Sequence, residues 1–312
     1  MIPTHRHIPG LVLGLALLSS PSPARAQNSL GIADLMMLSR GSAMGGQALA
    51  GDLLAAGIDP TVASGPAPAV ELAAGTHALG LEWAAAGTRI RAFGRPLALV
   101  FGSLSYGEQQ RTSFDDRLGV FSGTFTPMDA ALSAATLLLD EGTMHLGLGT
   151  TLAFTRIDEA TALTLSGALA VRHRQGPFEL RGGLSNVGAV LSPFDSGTGT
   201  RLAPRVRAGG AWSPEASPYG FSGELQWRSG DRRLLWGIGG EWWPVPEAAL
   251  RLGFTRGDGI AATADGGLGK VGMAVGASWQ HGDWRLTYSW RPGGLLGDGH
   301  LLGLGWRLGP LR

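Results

Sequence analysis

Few residues of this chain occur at a spacing that could support catalysis or hold a cofactor. The segment from Gly267 to Gly272 matches the G-x-G-x-x-G pattern of dinucleotide sites, but that pattern requires a following helix and here a strand-like segment follows. The segment from Gly183 to Val187 lacks the final glycine of a nucleophile elbow. The sequence therefore predicts a non-enzyme with no catalytic residue, no cofactor and no metal. None of the histidines after residue 26 has metal-ligand spacing: His77, His145, His173, His281 and His300.

Charged residues in the C-terminal half alternate with apolar neighbours, which indicates that they share one face of a sheet. If that sheet crosses a membrane, an Arg or Lys facing lipid at the midplane would cost about 2–4 kcal/mol. We therefore expect these side chains to line the lumen of a barrel and to pair with one another. They could form a packed polar interior or a path for a solute, and the sequence leaves both open. The nine residues are Arg205, Arg207, Glu224, Arg228, Glu241, Arg251, Lys270, Arg285 and Arg307.

The elements that would position these side chains are strands with a period of two. In Met144–Thr155 and Trp284–Arg291, apolar residues alternate with polar or small ones, so each segment has one apolar face. Similar segments recur between turn residues, about 14 in all, and bacterial barrels have an even number of strands. Many are about 9–11 residues long, enough for a tilted strand to span a bilayer. The sequence predicts an all-β fold, a closed antiparallel transmembrane β-barrel whose first two strands span 76–85 and 87–94.

A soluble β-sandwich or propeller would show the same alternation, but the aromatic residues favour a membrane barrel. Tryptophans occur at the ends of predicted strands, where membrane barrels carry aromatic girdles. The apolar faces are also nearly continuous, whereas a propeller would show blade repeats. We therefore expect an outer-membrane location with lipid as a partner. The predicted girdle comprises Trp212, Trp227, Trp242, Trp279, Trp284, Trp290 and Trp306.

The composition agrees with a barrel. Charged residues make up 16% of the 312 residues, below the roughly 25% of soluble domains. The chain contains 51 glycines, and glycine destabilises helix interiors but suits turns and curved sheets. The net charge of +1 and the lack of a basic run argue against a nucleic-acid partner. The lack of cysteine excludes a secreted domain held together by disulfides.

The N-terminal residues differ from the rest of the chain. Basic residues near His5 precede an apolar run over Leu11–Leu18 and the A-x-A site Ala24–Ala26, which predicts a signal peptide over residues 1–26. The apolar run is too short to span a bilayer, which requires about 20 residues. Residues 27–74 show no sustained alternation, and we interpret them as a segment outside the barrel wall that folds into the lumen as a plug. The barrel itself is predicted over residues 75–312.

Four stretches, taken in order, resemble the PorV/PorQ family of FadL-superfamily outer-membrane proteins, and most of all its PorQ members. The first resembles the family's "ARxxxxGG…D…NP" signature, although Asp59 stands where the family has Asn. The others resemble its "YxxYG…GxFxxxDxAL", "NxG…LP" and "GxEY…LRxGY" segments. The stretches are Ser39–Gly46 with Asp52 and Asp59-Pro60, then Leu104–Leu132, Gly183–Pro204 and Gly239–Phe254.

The resemblance implies a 14-strand barrel with an N-terminal plug, and it implies a role in type IX secretion. Proteins of that kind are non-enzymatic accessories that hold or shuttle cargo, so protein partners of a secretion or surface-attachment machinery are expected. The FadL relationship implies an alternative, a transporter of hydrophobic small molecules. That alternative predicts an apolar pocket near the plug, formed by Leu35, Met36, Met37 and Met44.

Overall fold

Strands make up most of the computed structural model, which describes residues 39–47, 51–65, 69–77, 81–112, 121–194, 202–230, 233–256, 272–292 and 298–307. Within these residues, a short α-helix (α1, Ser39–Ala43) and two 3-10 helices (Leu53–Ala55 and Pro60–Ser64) precede the first strand. No helix in these ranges is long and apolar enough to cross a membrane. The described strands are β1 (Ala69–His77), β2 (Leu81–Ala92), β3 (Arg95–Ser105), β4 (Gln109–Thr112), β5 (Phe121–Phe125), β6 (Met128–Glu141), β7 (Met144–Ile157), β8 (Ala160–Gln175), β9 (Phe178–Ser192), β10 (Arg205–Trp212), β11 (Tyr219–Arg228), β12 (Arg233–Val245), β13 (Ala248–Arg256), β14 (Gly272–His281), β15 (Trp284–Arg291) and β16 (Gly299–Arg307).

Fourteen of these strands form one closed antiparallel barrel in which chain neighbours pair with each other. The barrel closes between its first and last strands, with β1 and β16 paired from Ala69↔Arg307 to Thr76↔His300. The remaining two strands, β4 and β5, pair only with each other in the connection between β3 and β6. The predicted fold class, a closed antiparallel barrel of about 14 strands, is confirmed.

Most barrel strands place small or polar side chains inside and large apolar ones outside. In β7, Thr151 and Ala153 are buried, whereas Leu148, Leu152 and Phe154 are exposed on the outer wall. Because successive strand side chains point to opposite faces, this alternation gives the wall a continuous apolar exterior. Lipid solvates such a surface, so the arrangement is that of an outer-membrane barrel.

The two ends of the barrel differ in the length of their connections. At one end, called the short-turn end, the pairs β6–β7, β8–β9 and β14–β15 are joined by two residues each. Gly142, Gly176 and Gly282 occupy these turns at φ values of 54°, 57° and 53°, in the left-handed region that glycine adopts without strain. The other end, called the long-loop end, carries the longer β3–β6, β9–β10 and β13–β14 connections. Bacterial barrels have short periplasmic turns and longer surface loops, so the long-loop end faces outward from the cell.

The first two strands differ from their predicted positions. The wall begins at Ala69 rather than at residue 75, and the predicted strand 76–85 spans the connection between β1 and β2. The predicted strand 87–94 corresponds to the second half of β2 and the turn after it. Alternation is weak in β1 because alanines occur on both faces and the buried positions include Glu71.

Candidate functional site: the barrel interior

Part of the N-terminal segment lies inside the barrel. We call residues 39–47 and 51–65 the lumenal segment. Helix α1 contacts the inner side of β13–β16, while the two 3-10 helices contact β2, β3 and β6–β8. Leu53, Leu54 and Val62 are almost completely buried. The predicted signal peptide, residues 1–26, lies outside the described residues, and the closing of the lumen by this segment stays a prediction.

Inward-facing glycines of the wall allow the lumenal segment to approach it closely. A Cβ added at Gly253 would lie 2.5 Å from the carbonyl carbon of Met44, and one added at Gly239 would lie 2.8 Å from Met44 Cα. On the opposite side, a Cβ at Gly147 would lie 2.6 Å from the carbonyl carbon of Pro60. Such distances are far below van der Waals contact, so these positions require glycine. The glycine content of the sequence indicated turns and curvature but not these contact positions.

One half of the interior, on β1–β3 and β6–β8, is mainly apolar, with the described inward-facing charged residues of these strands confined to the neighbourhood of the short-turn end apart from Asp129. Trp83, Val100 and Leu104 are buried there in one cluster with Leu53 and Leu54 of the lumenal segment. The same cluster extends to buried residues on β16 and in the β9–β10 connection, Leu301 and Leu202. Apolar contacts are therefore continuous from the long-loop end to the lumenal segment.

The other half, on β9–β15, is charged and internally paired. Arg40 of the lumenal segment donates hydrogen bonds to both Glu241 carboxylate oxygens at 2.8 and 2.9 Å. Arg251 donates to Glu241 Oε1 at 2.5 Å. Arg207 donates to Ser185 Oγ at 2.6 Å. The Arg40–Glu241 contact attaches the lumenal segment to the charged side of the wall.

The structure places eight of the nine predicted lumenal residues, and Lys270 lies outside the described residues. Five of them are buried on the inner face of the wall: Arg205, Arg207, Glu224, Glu241 and Arg251. Three occupy inward positions but are partly or largely exposed: Arg228, Arg285 and Arg307. Whether these residues form a path for a solute stays a prediction.

Four further charged residues that hold the lumenal segment were not predicted from the sequence. Glu71 accepts a hydrogen bond from Leu53 N at 3.2 Å, and Arg89 Nε donates to Val62 O at 2.9 Å. The other two are Asp59 and Arg172, whose side chains lie 3.2 Å apart. The inward positions of Arg89 and Arg172 in alternating segments were the signal that could have identified these two, whereas the weak alternation of β1 gave no such signal for Glu71. At the short-turn end, these arginines line a polar cavity of about 190 Å³.

One polar pair interrupts the apolar half. The Tyr106 hydroxyl donates to Asp129 Oδ2 at 2.7 Å, and Asp129 Oδ1 is buried without a hydrogen-bond partner. Burial and the hydrogen bond to Asp129 raise the pKa of the Tyr106 hydroxyl above its usual value, because both favour the neutral phenol.

The predicted girdle tryptophans occupy outward positions near the two ends of the barrel. Trp284 stacks on Trp306 with ring centroids 5.0 Å apart, and Trp212 stacks on Phe221 at 5.9 Å. Those near the short-turn end are Trp212, Trp242, Trp279, Trp284 and Trp306, and those near the long-loop end are Trp227 and Trp290.

An apolar depression of about 670 Å³ lies on the outer wall across β9–β13. It forms where outward glycines, Gly210, Gly223 and Gly240, lie between Phe221 and Ile238. Because its lining residues face lipid, it is separate from the barrel interior.

The predicted pocket near the plug is described only at Met44, which is buried against the backbone of Gly239. Leu35, Met36 and Met37 lie outside the described residues. Within the described part of the chain, no group of three or more acidic or histidine side chains could hold a metal ion.

No family model and no curated protein matches this chain. Solved structures do match it. The toluene transporter TodX of Pseudomonas putida is 12% identical and has a TM-score of 0.56, and the match covers 86% of this chain and 96% of TodX. A TodX deltaS2S3 mutant, a monoaromatic hydrocarbon channel, is 10% identical with a TM-score of 0.59 over 87% of this chain and 99% of that one. The monoaromatic hydrocarbon channel CymD is 8% identical with a TM-score of 0.54 over 88% and 98% of the two chains.

At these identities the likeness shows the fold alone, a closed outer-membrane β-barrel. It gives no support to the narrower PorV/PorQ expectation or to a role in type IX secretion.

Proposed function

We propose that this protein is a non-enzymatic transporter that carries hydrophobic small molecules across the outer membrane. The observation that carries the proposal is the apolar half of the interior, which continues from the long-loop end to the lumenal segment. The names of TodX and CymD, a toluene transporter and a monoaromatic hydrocarbon channel, support the same substrate class. The secretion role had been the leading expectation, and no described contact favours it.

The apolar half offers a route in two steps. At the long-loop end, Trp83 lies between Leu104 and Gly75 in the strand register, and Gly75 pairs with Leu301. Four residues further along β2 and β3, Gly87 and Val100 lie against Leu53 and Leu54 of the lumenal segment. A hydrophobic solute that moves from water to these side chains buries its apolar surface, and the transfer free energy is favourable in proportion to the area buried.

The lumenal segment would regulate this route. Its leucines pack on the apolar half while Arg40 is held by Glu241 on the charged half. A solute that reaches Leu53 and Leu54 would compete for their packing contacts, so passage requires the 3-10 helices to shift. Ions gain no free energy from contact with apolar side chains and would not displace the 3-10 helices, so we expect low steady conductance.

The test is uptake of labelled toluene by cells whose outer membrane carries the protein. We expect faster uptake than in the same cells with an empty vector, and a reduction by Leu104→Asn, which puts an amide into the apolar half. Thr287→Asn puts the same side chain at a buried inward position on β15 and should preserve uptake. Folded protein is quantified in each strain by the heat-modifiable shift in electrophoresis.

Uptake equal to the empty-vector cells would refute the transport proposal. Copurification with secreted proteins in that case would favour the secretion role instead. Equal losses in the two variants would show that the apolar half has no special part in transport.

A further inference from the structure

Among the described inward-facing residues of β1–β3 and β6–β8, Asp129 is the carboxyl group nearest the long-loop end, and Glu71 lies towards the short-turn end. We call Trp83, Leu104, Leu202 and Leu301 the apolar belt, since all four are buried in one cluster. Asp129 is 3% exposed and pairs directly with Leu104 in the strand register. It therefore lies next to the belt, on the same inner face of the wall.

Only one of the two Asp129 oxygens has a partner. Oδ2 accepts from the Tyr106 hydroxyl at 2.7 Å, whereas Oδ1 is buried with no hydrogen-bond partner. Buried polar atoms are nearly always paired, because an unpaired one has lost its bonds to water without replacement. An acceptor left unpaired on a transport route is available to a donor that the solute brings.

We propose that Asp129 Oδ1 recognises a hydrogen-bond donor on the transported solute, so that the preferred substrates are phenol-like: an apolar ring that carries a hydroxyl. This inference rests on the proposed transport function and narrows its substrate class. The Tyr106 hydroxyl holds the carboxyl group by its other oxygen and so fixes the orientation of Oδ1.

The geometry of the wall suits a molecule with one ring. Asp129 and Trp83 lie on either side of Leu104, two strand spacings apart, which is roughly 10 Å. A ring of this size can pack on Leu104 and Trp83 while its hydroxyl reaches Oδ1. Aromatic rings gain both buried area and favourable ring contacts at such a position.

The same chemistry separates three kinds of solute. A bare hydrocarbon leaves Oδ1 unpaired, while a phenol supplies the missing donor. An anionic aromatic carboxylate has only acceptor oxygens and cannot pair with Oδ1. Entry should therefore be ranked phenol first, hydrocarbon second and carboxylate last.

The test compares p-cresol with p-xylene, which differ only by a hydroxyl in place of a methyl group. We measure the initial uptake of both labelled solutes by cells that carry the full-length protein, and subtract the uptake of empty-vector cells. A net hydrogen bond corresponds to a preference of about fivefold for p-cresol. Asp129→Leu should abolish this preference while p-xylene uptake is retained. Tyr106→Phe retains Oδ1 but removes the hydrogen bond that orients it, so the preference for p-cresol should be smaller than in the unmodified protein and larger than in Asp129→Leu.

Competition on the unmodified protein gives a second readout that does not depend on whether a variant folds. Excess unlabelled p-cresol should inhibit labelled p-cresol uptake, and excess p-toluate should not. An unchanged preference in folded Asp129→Leu, or equal inhibition by p-toluate, would overturn this inference and leave hydrocarbon transport intact. No protein-dependent uptake of either solute would overturn the transport function together with it.

Discussion

The contact between the lumenal segment and the wall can be tested at one glycine. Gly253 lies on the inner face of β13, and an added Cβ would overlap the backbone of Ala43 and Gly45 and lie 2.5 Å from the carbonyl carbon of Met44. Backbone atoms on both sides of the contact cannot rotate away as a flexible side chain could. Gly253→Ala should therefore force helix α1 away from the wall.

The size of the effect follows from overpacking and from chain entropy. Inserting a methyl group into a filled site costs about 1–3 kcal/mol. Replacing glycine with alanine also restricts the unfolded chain, and this loss of chain entropy offsets about 0.4–1 kcal/mol of the overpacking cost. We expect a net loss of about 1–2 kcal/mol of unfolding free energy, together with release of α1.

Gly223→Ala is the matched control. Gly223 is an outward position of β11, where an added Cβ would lie 3.6 Å from Ile238 Cγ2, an ordinary contact. The same methyl group on this face should change the unfolding free energy by less than about 0.5 kcal/mol or stabilise the barrel slightly.

Two assays separate stability from displacement. Urea unfolding in lipid vesicles, followed by tryptophan fluorescence, gives the free energy of unfolding. Limited trypsin digestion at Arg40 reports the position of α1, since the Arg40 side chain is only 35% exposed in the folded barrel. Faster cleavage at Arg40 in Gly253→Ala than in Gly223→Ala is expected. Equal cleavage and equal stability in the two variants would refute the packing of α1 on β13.

Three further predictions concern the lipid face, the buried ion pairs and the tyrosine. Leu225→Arg, near the middle of β11, should lower the free energy of urea unfolding by about 2–4 kcal/mol, and Trp227→Arg, near the strand end, by about 0–1 kcal/mol. A larger loss for Trp227→Arg would contradict the placement of Leu225 closer to the bilayer midplane. Glu241→Gln should cost about 3 kcal/mol because its two arginines lose a buried anion. Asp140→Asn should cost about 0–1 kcal/mol, because Asp140, which lies beside His145, is 53% exposed. The raised pKa of Tyr106 means that its contribution to stability is complete below about pH 10 and is lost at higher pH. Absorbance at 295 nm of the native protein minus that of Tyr106→Phe should show this late ionisation, and a difference signal complete by pH 10 would contradict it.

The wall of the barrel could be predicted from the sequence because its signal is local. In β7, for example, large apolar residues such as Leu148 and Leu152 alternate with small or polar ones. Lipid favours apolar side chains at the outward positions of every membrane-spanning strand, so the pattern recurs along the chain. The first strand was displaced because alanines occupy both of its faces around Glu71, so that the contrast on which the prediction depends is absent there.

The interior was decided by tertiary structure. Alternation indicates that Glu241 and Arg251 face inward, but only barrel closure brings Arg40, 201 residues earlier in the chain, against Glu241. Closure likewise joins β1 to β16 and so brings Leu301 into the same buried cluster as Trp83. The division of the interior into an apolar half and a charged half depends on this closure. Local pattern determines the face on which a side chain lies, whereas its partner across the lumen depends on how all the strands close, and no local pattern carries that information.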